Sequence, residues 1–173
     1  PVVNFSFTSP NCSNDPIQFT DLSYCPDGGF IRRWIWNYGD GSPNDTTYFP
    51  NDPNKPHVFP GPNTYNVTLM VMDNDSCVNQ DSRPVTVMPS PIANFHFTGA
   101  CEDQVVSFTD ASSANGAGNL EYWSWDFGDP TSGINNTSTL ANPLHNFINT
   151  GEYDVMLTVT TTNGCVLTKT NLQ

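Results

Sequence analysis

Apolar side chains recur at every second position in several short stretches. Asn4-Phe5-Ser6-Phe7, Ile17-Gln18-Phe19-Thr20 and Tyr65-Asn66-Val67-Thr68-Leu69-Met70-Val71 all alternate. A period of two is that of a strand with one buried face. Between such stretches lie turn clusters: Asp27-Gly28-Gly29, Asp40-Gly41-Ser42-Pro43, Pro60-Gly61-Pro62-Asn63 and Asn115-Gly116-Ala117-Gly118. No stretch carries a convincing helical period. The pattern predicts an all-β chain.

The pattern also occurs twice. Trp34-Ile35-Trp36-Asn37-Tyr38-Gly39-Asp40-Gly41 returns as Trp123-Ser124-Trp125-Asp126-Phe127-Gly128-Asp129-Pro130, about 89 residues later. Asn4-Phe5-Ser6-Phe7 returns as Asn94-Phe95-His96-Phe97, and His57-Val58-Phe59 as His145-Asn146-Phe147. The seam is Met88-Pro89-Ser90-Pro91, whose prolines remove donors and favour extended backbone. Two domains are expected, 1–88 and 89–173, each a seven-stranded, Greek-key, immunoglobulin-like β-sandwich. The second domain ends at Asn171-Leu172-Gln173, which predicts a truncated last strand and a fragment of a longer polypeptide. In each copy the motif strand places three aromatics on one face: Trp34, Trp36 and Tyr38, then Trp123, Trp125 and Phe127. These six are expected to fill the cores.

Charge narrows the partners. The formal net charge is −12, with five Lys and Arg against 17 Asp and Glu. No basic patch can be built from Arg32, Arg33, Lys55, Arg83 and Lys169, so nucleic acid is excluded as a partner. No apolar run approaches a membrane span, so direct membrane insertion is not expected. Few charges and many Asn, Thr, Ser, Gly and Pro suit a secreted or cell-surface protein. The cysteines fit that compartment: Cys12–Cys77 and Cys101–Cys165 are the expected disulfides, one per domain, and Cys25 is left over, with burial expected.

Chemistry is sparse. There is no H-E-x-x-H, no G-x-S-x-G and no Cys–His pair once the cysteines are bridged, so no catalytic residue is assigned. His57 and His145 hold matching positions and read as structural hydrogen-bonding residues. No cofactor is expected. Calcium, a hard cation that takes oxygen ligands, has candidates in Asp40, Asp45, Asp73 and Asp75, against the simpler reading of ordinary turns. Tyr24, Phe30, Tyr48 and Phe49 lie in loops of the first domain and are the candidate contacts for a glycan or protein ligand.

The combined motifs resemble the PKD domain, named for the polycystic kidney disease protein. Its hallmark is W-x-W-x-F-G-D-G, then P-x-H-x-F/Y, then G-x-Y-x-V-x-L-x-V. The second copy carries Trp123 to Asp129, Pro143-Leu144-His145-Asn146-Phe147 and Gly151-Glu152-Tyr153-Asp154-Val155-Met156-Leu157-Thr158-Val159. The first departs at Pro56, which sits one place late, and at Asn63 in place of glycine; the second departs at Pro130. The cysteine-containing variant resembles those of large bacterial surface proteins. The resemblance implies a structural or adhesive module of a larger extracellular protein, a stalk or fibre segment. Its partners would be neighbouring repeats, further copies or a surface ligand. The alternative is an accessory, polymer-binding region of a secreted hydrolase of protease or chitinase type.

Overall fold

The computed structural model describes residues 1–99 and 105–172. The chain divides into two compact units, Pro1–Met88 and Pro89–Gln173. The first contains β1 (Phe5–Phe7), β2 (Ile17–Asp21), β3 (Ile31–Asn37), β4 (Asp45–Tyr48), β5 (Lys55–His57), β6 (Asn63–Asp73) and β7 (Val78–Val87). The second contains β8 (Phe95–Thr98), β9 (Val105–Asp110), β10 (Leu120–Asp126), β11 (Thr137–Ser138), β12 (Leu144–Asn146), β13 (Asp154–Thr161) and β14 (Val166–Leu172). Each unit is a sandwich of a three-stranded and a four-stranded antiparallel sheet. The orders are β1-β2-β5 and β4-β3-β6-β7, then β8-β9-β12 and β11-β10-β13-β14. The chain is thus all-β and immunoglobulin-like in both halves. One helical element departs from the expected pattern: a kinked 3-10 segment, Pro130–Asn136, follows the second Gly-Asp turn. Among the described residues no helix is long and apolar enough to cross a membrane.

The motif strand is central in each four-stranded sheet. Trp34 and Trp36 stand opposite Val71 and Leu69 of β6, and Trp123 and Trp125 opposite Val159 and Leu157 of β13. Trp34, Trp36, Tyr38, Trp125 and Phe127 are buried, and Trp123 is half-buried against the second core. Each deep indole sits between two phenylalanines of the opposing sheet. Phe5 and Phe19 lie 5.2 and 5.6 Å from Trp36; Phe95 and Phe108 lie 5.1 and 5.5 Å from Trp125. Edge-to-face and tilted pairs of this kind contribute about 0.5–1.5 kcal/mol each beyond area burial. The buried indole N–H groups have acceptors: Trp36 donates to the Pro53 carbonyl and Trp125 to the Leu140 carbonyl, both at 2.9 Å.

The cysteine pairing of the first domain differs from expectation. Cys77 is an exposed free thiol, whereas Cys12 is disulfide-bonded. The strand lengths explain why these two do not meet. Cys12 bridges Met88, just beyond the end of β7, while Cys77 immediately precedes its start. A ten-residue strand spans roughly 33 Å, and a disulfide needs Cα atoms within about 7 Å. Cys165 is buried and disulfide-bonded; Cys101 lies outside the described residues, so the expected Cys101–Cys165 bond does too. Cys25 is a free, half-buried thiol packed against the first core.

An aromatic disulfide reagent added to the folded protein will therefore label Cys77 in its fastest phase. Cys77→Ser is expected to remove one equivalent of that phase and leave the melting temperature nearly unchanged. Equal labelling of wild type and variant would contradict the exposed position of this thiol.

Candidate functional site

The motif glycine, aspartate and histidine form one device in each domain. After the motif strand the chain turns through Gly39 or Gly128, both at positive φ, +72° and +66°. A Cβ there would meet the carbonyl oxygen of Asn66 at 2.6 Å or of Asp154 at 2.7 Å, so only glycine lets the turn rest on the neighbouring strand. The turn delivers an aspartate to a histidine of the other sheet. His57 Nε2 lies 2.7 Å from Asp40 Oδ2, and His145 Nε2 lies 3.4 Å from Asp129 Oδ2. Each imidazole stacks on the third motif aromatic, at 3.7 Å from Tyr38 and 4.2 Å from Phe127. A phenylalanine, Phe59 or Phe147, abuts the ring edge-on.

Burial alone would raise the pKa of both aspartates, but their partners outweigh it. The hydroxyl and backbone N–H of Ser42, with His57, hold Asp40 below its ordinary value of 3.8. The hydroxyl of Thr131, His145 and the backbone N–H of Ile148 do the same for Asp129. Tyr38 is the exception in this polar set. Burial first, then the charges of Asp45 and Asp40, push its phenol upward, and its hydroxyl has no hydrogen-bond partner among the described residues.

The calcium candidates are placed by these contacts. Asp40 is occupied by Ser42 and His57. Asp45 faces Lys55 at 3.7 Å. Asp73 accepts from the backbone N–H groups of Asp75 and Cys77, and Asp75 accepts from the Asn74 amide. Among the described residues no group of three or more His, Cys, Asp or Glu is arranged to hold a metal ion.

The candidate contact aromatics are surface residues. Tyr24, Phe30, Tyr48 and Phe49 are each more than half exposed, from 51% to 59%. Phe30 precedes β3 and Phe49 follows β4, so antiparallel pairing brings them to one end of the sheet, with ring centroids 5.2 Å apart. Tyr48 begins a cross-strand row on the outer face that continues through Arg33, Met72 and Val78. Tyr24 stands elsewhere, bridged to Val2. The matching row of the second domain reads Tyr122, Thr160 and Val166. A surface with two clustered rings, a flanking tyrosine and a guanidinium can pack against a chain-like ligand, yet it holds no nucleophile and base within reach of each other.

The sequence gives both histidines structural roles, but it offers Asp40 only as a calcium candidate or turn residue and assigns no role to Asp129 beyond the motif turn. The signal that would have joined them was the recurrence of both residues at matched positions in the two copies.

The model of the PKD domain family matches residues 1–87 and, separately, 88–172. Collagenase ColA of Clostridium perfringens is 30% identical over 143 residues, covering 80% of this chain and 11% of that protein. Collagenase ColA of Bacillus cereus is 25% identical over 114 residues, covering 66% of this chain and 11% of that protein. The chain therefore spans about a tenth of the length of these relatives. Among solved structures, the PKD1 domain of the Vibrio cholerae metalloprotease PrtV is 32% identical, with 49% of this chain and 94% of that one covered and a TM-score of 0.41. The PKD1 domain of Vibrio anguillarum Epp is 30% identical, with 50% and 93% covered and a TM-score of 0.42.

Two outcomes follow from the device. An unfolded aspartate takes up its proton near 3.8, and the folded Asp40 and Asp129 only at lower pH. In that window the unfolded chain holds the extra protons, so acid favours unfolding. Their contribution is complete above about pH 5 and fades as pH falls through the folded values. Urea midpoints measured from pH 6 to pH 2 should fall on this limb, and Asp40→Asn should flatten it for the first domain. Tyr38→Phe, which matches Phe127, should leave stability unchanged or raise it by about 1 kcal/mol, because it deletes an unsatisfied buried hydroxyl. A loss above about 1 kcal/mol in urea would show that the hydroxyl has a partner.

Proposed function

Because the chain belongs to the PKD domain family, we propose that it is a non-catalytic, extracellular module of a larger secreted protein, which spaces its neighbours and holds a surface against a polymer. The observation that carries this reading is the exposed Phe30–Phe49 pair beside Tyr48 and Arg33, on a sandwich whose other large aromatics are mostly committed to the core. Exposed rings of this kind lose little conformational entropy on contact and supply large apolar area. The collagenase relatives favour the accessory role over the free-standing one. They make fibrillar protein the first polymer to test, with neutral polysaccharide the second. An adhesive stalk or fibre built from successive repeats is the second reading, favoured by the exposed Cys77, which is free to bond a further repeat. Calcium would enter as a modulator of the acidic loops at Asp40, Asp45, Asp73 and Asp75, a proposal that a melt with and without chelator addresses.

Co-sedimentation of the two-domain protein with insoluble collagen, chitin and cellulose tests the main reading. Retention on one of them is expected, with Phe49→Ala and Phe30→Ala each weakening it about tenfold, the scale of an aromatic contact residue. Undiminished retention in both variants, or none on any polymer, would defeat the role assigned to this face.

A further inference from the structure

The second domain has a cleft of about 490 Å³; at the matching place in the first, Lys55 and Asp45 form an ion pair at 3.7 Å. It opens between the edge strands β11 and β12. Phe127 and His145 form its floor, Ser132 and Asn135 of the 3-10 segment form one wall, and Leu144 and Ile148 stand at the rim. The lining contains no lysine, arginine or carboxylate, and His145 is tied to Asp129.

The backbone of β12 is what this cleft exposes. The Pro143 carbonyl accepts from the Phe108 N–H, and His145 stands opposite Val106. In an antiparallel ladder bonded and non-bonded pairs alternate. His145 therefore exchanges hydrogen bonds with Val106, and the N–H and C=O groups of Leu144 and Asn146 point away from β9 to the open edge. No partner for them is found among the described residues.

The first domain protects the same edge twice. Pro56 takes the place of Leu144, so the outward N–H is missing. Lys55 on β5 and Asp45 on β4 form an ion pair across the gap. Their counterparts are Pro143 and Ser138, since Ser138 faces Trp125 as Asp45 faces Trp36. Neither protection survives in the second copy, and the 3-10 segment adds an amide and a hydroxyl to the wall.

We propose that β12 captures an extended peptide segment of another protein as an added strand. The backbone groups of Leu144 and Asn146 would pair with it, and Leu144, Ile148 and Val105 would receive its aliphatic side chains. The cleft offers no cation and the chain carries a net charge of −12, so the segment is uncharged or basic. The same charge sets a second copy of this chain against itself as occupant. This site is separate from the aromatic face of the first domain and does not depend on it.

Backbone amide spectra of the 15N-labelled protein, titrated with the peptide acetyl-Thr-Val-Lys-Val-Thr-Val-amide, test the proposal. Shifts should cluster at residues 137–138 and 144–146, and exchange of the Leu144 and Asn146 amides should slow. The same peptide with Glu for Lys should bind several-fold more weakly. Leu144→Pro should weaken binding about tenfold by removing an outward donor. The double variant Ser138→Asp, Pro143→Lys, which restores the ion pair of the first domain, should do the same without touching that donor. Three results would overturn the proposal: no localised shift at millimolar peptide, the same shifts produced by maltohexaose in place of the peptide, or concentration-dependent dimerisation through these residues without any peptide.

Discussion

Each sandwich is closed by a carboxylate from one sheet meeting an imidazole from the other. Asp40 and Asp129 follow the central strands β3 and β10; His57 and His145 lie on β5 and β12 of the opposing sheets. The contact is possible only because Gly39 and Gly128 let the chain turn against a neighbouring backbone. It then fixes the face that the imidazole presents to Tyr38 or Phe127, whose rings in turn stack with Trp36 and Trp125. A buried charge without this partnership would be costly. The hydroxyls of Ser42 and Thr131 complete the set of donors to these oxygens, which is why the carboxylates stay ionised despite burial.

The same geometry decides what was legible in the sequence. Alternation and repetition are local and periodic, so fold class and the division at Met88 could be read directly. The aromatic strand could be read too, because residues 34, 36 and 38 must share a face. The Asp–His pairing is 17 residues apart in the first domain and 16 in the second, and crosses between sheets. No local period encodes it. The expected Cys12–Cys77 bond failed for a related reason: composition and compartment argue for a disulfide but carry no distance. Only the ten-residue length of β7 sets the two cysteines at opposite ends of the domain.

Function is better sought where the copies disagree than where they agree. The shared motif is consumed by folding: its aromatics pack, its glycine turns, and its aspartate closes the sheets. The first domain diverges by an outer face bearing Phe30, Tyr48 and Phe49. The second has a two-residue β11 there and a shorter, uncharged row of Tyr122, Thr160 and Val166. One fold therefore presents two different surfaces.

Edge strands sharpen that point. An unpaired strand edge is a liability that a stable domain ordinarily blunts, and the first domain does so with Pro56 and the Lys55–Asp45 pair. Stability gives the second domain no reason to omit both devices. His145 and Phe127 are buried, as Tyr38 is, and the second core keeps its stacked histidine although the Asp–His contact is longer, 3.4 against 2.7 Å. Charge repulsion between copies limits the hazard of leaving the edge open. What remains is a donor–acceptor row at the mouth of a neutral cleft, placed by the same histidine strand that closes the sandwich. The residue that locks the two sheets together thereby also sets the register of the open edge, so any ligand strand would be read against a rigid template.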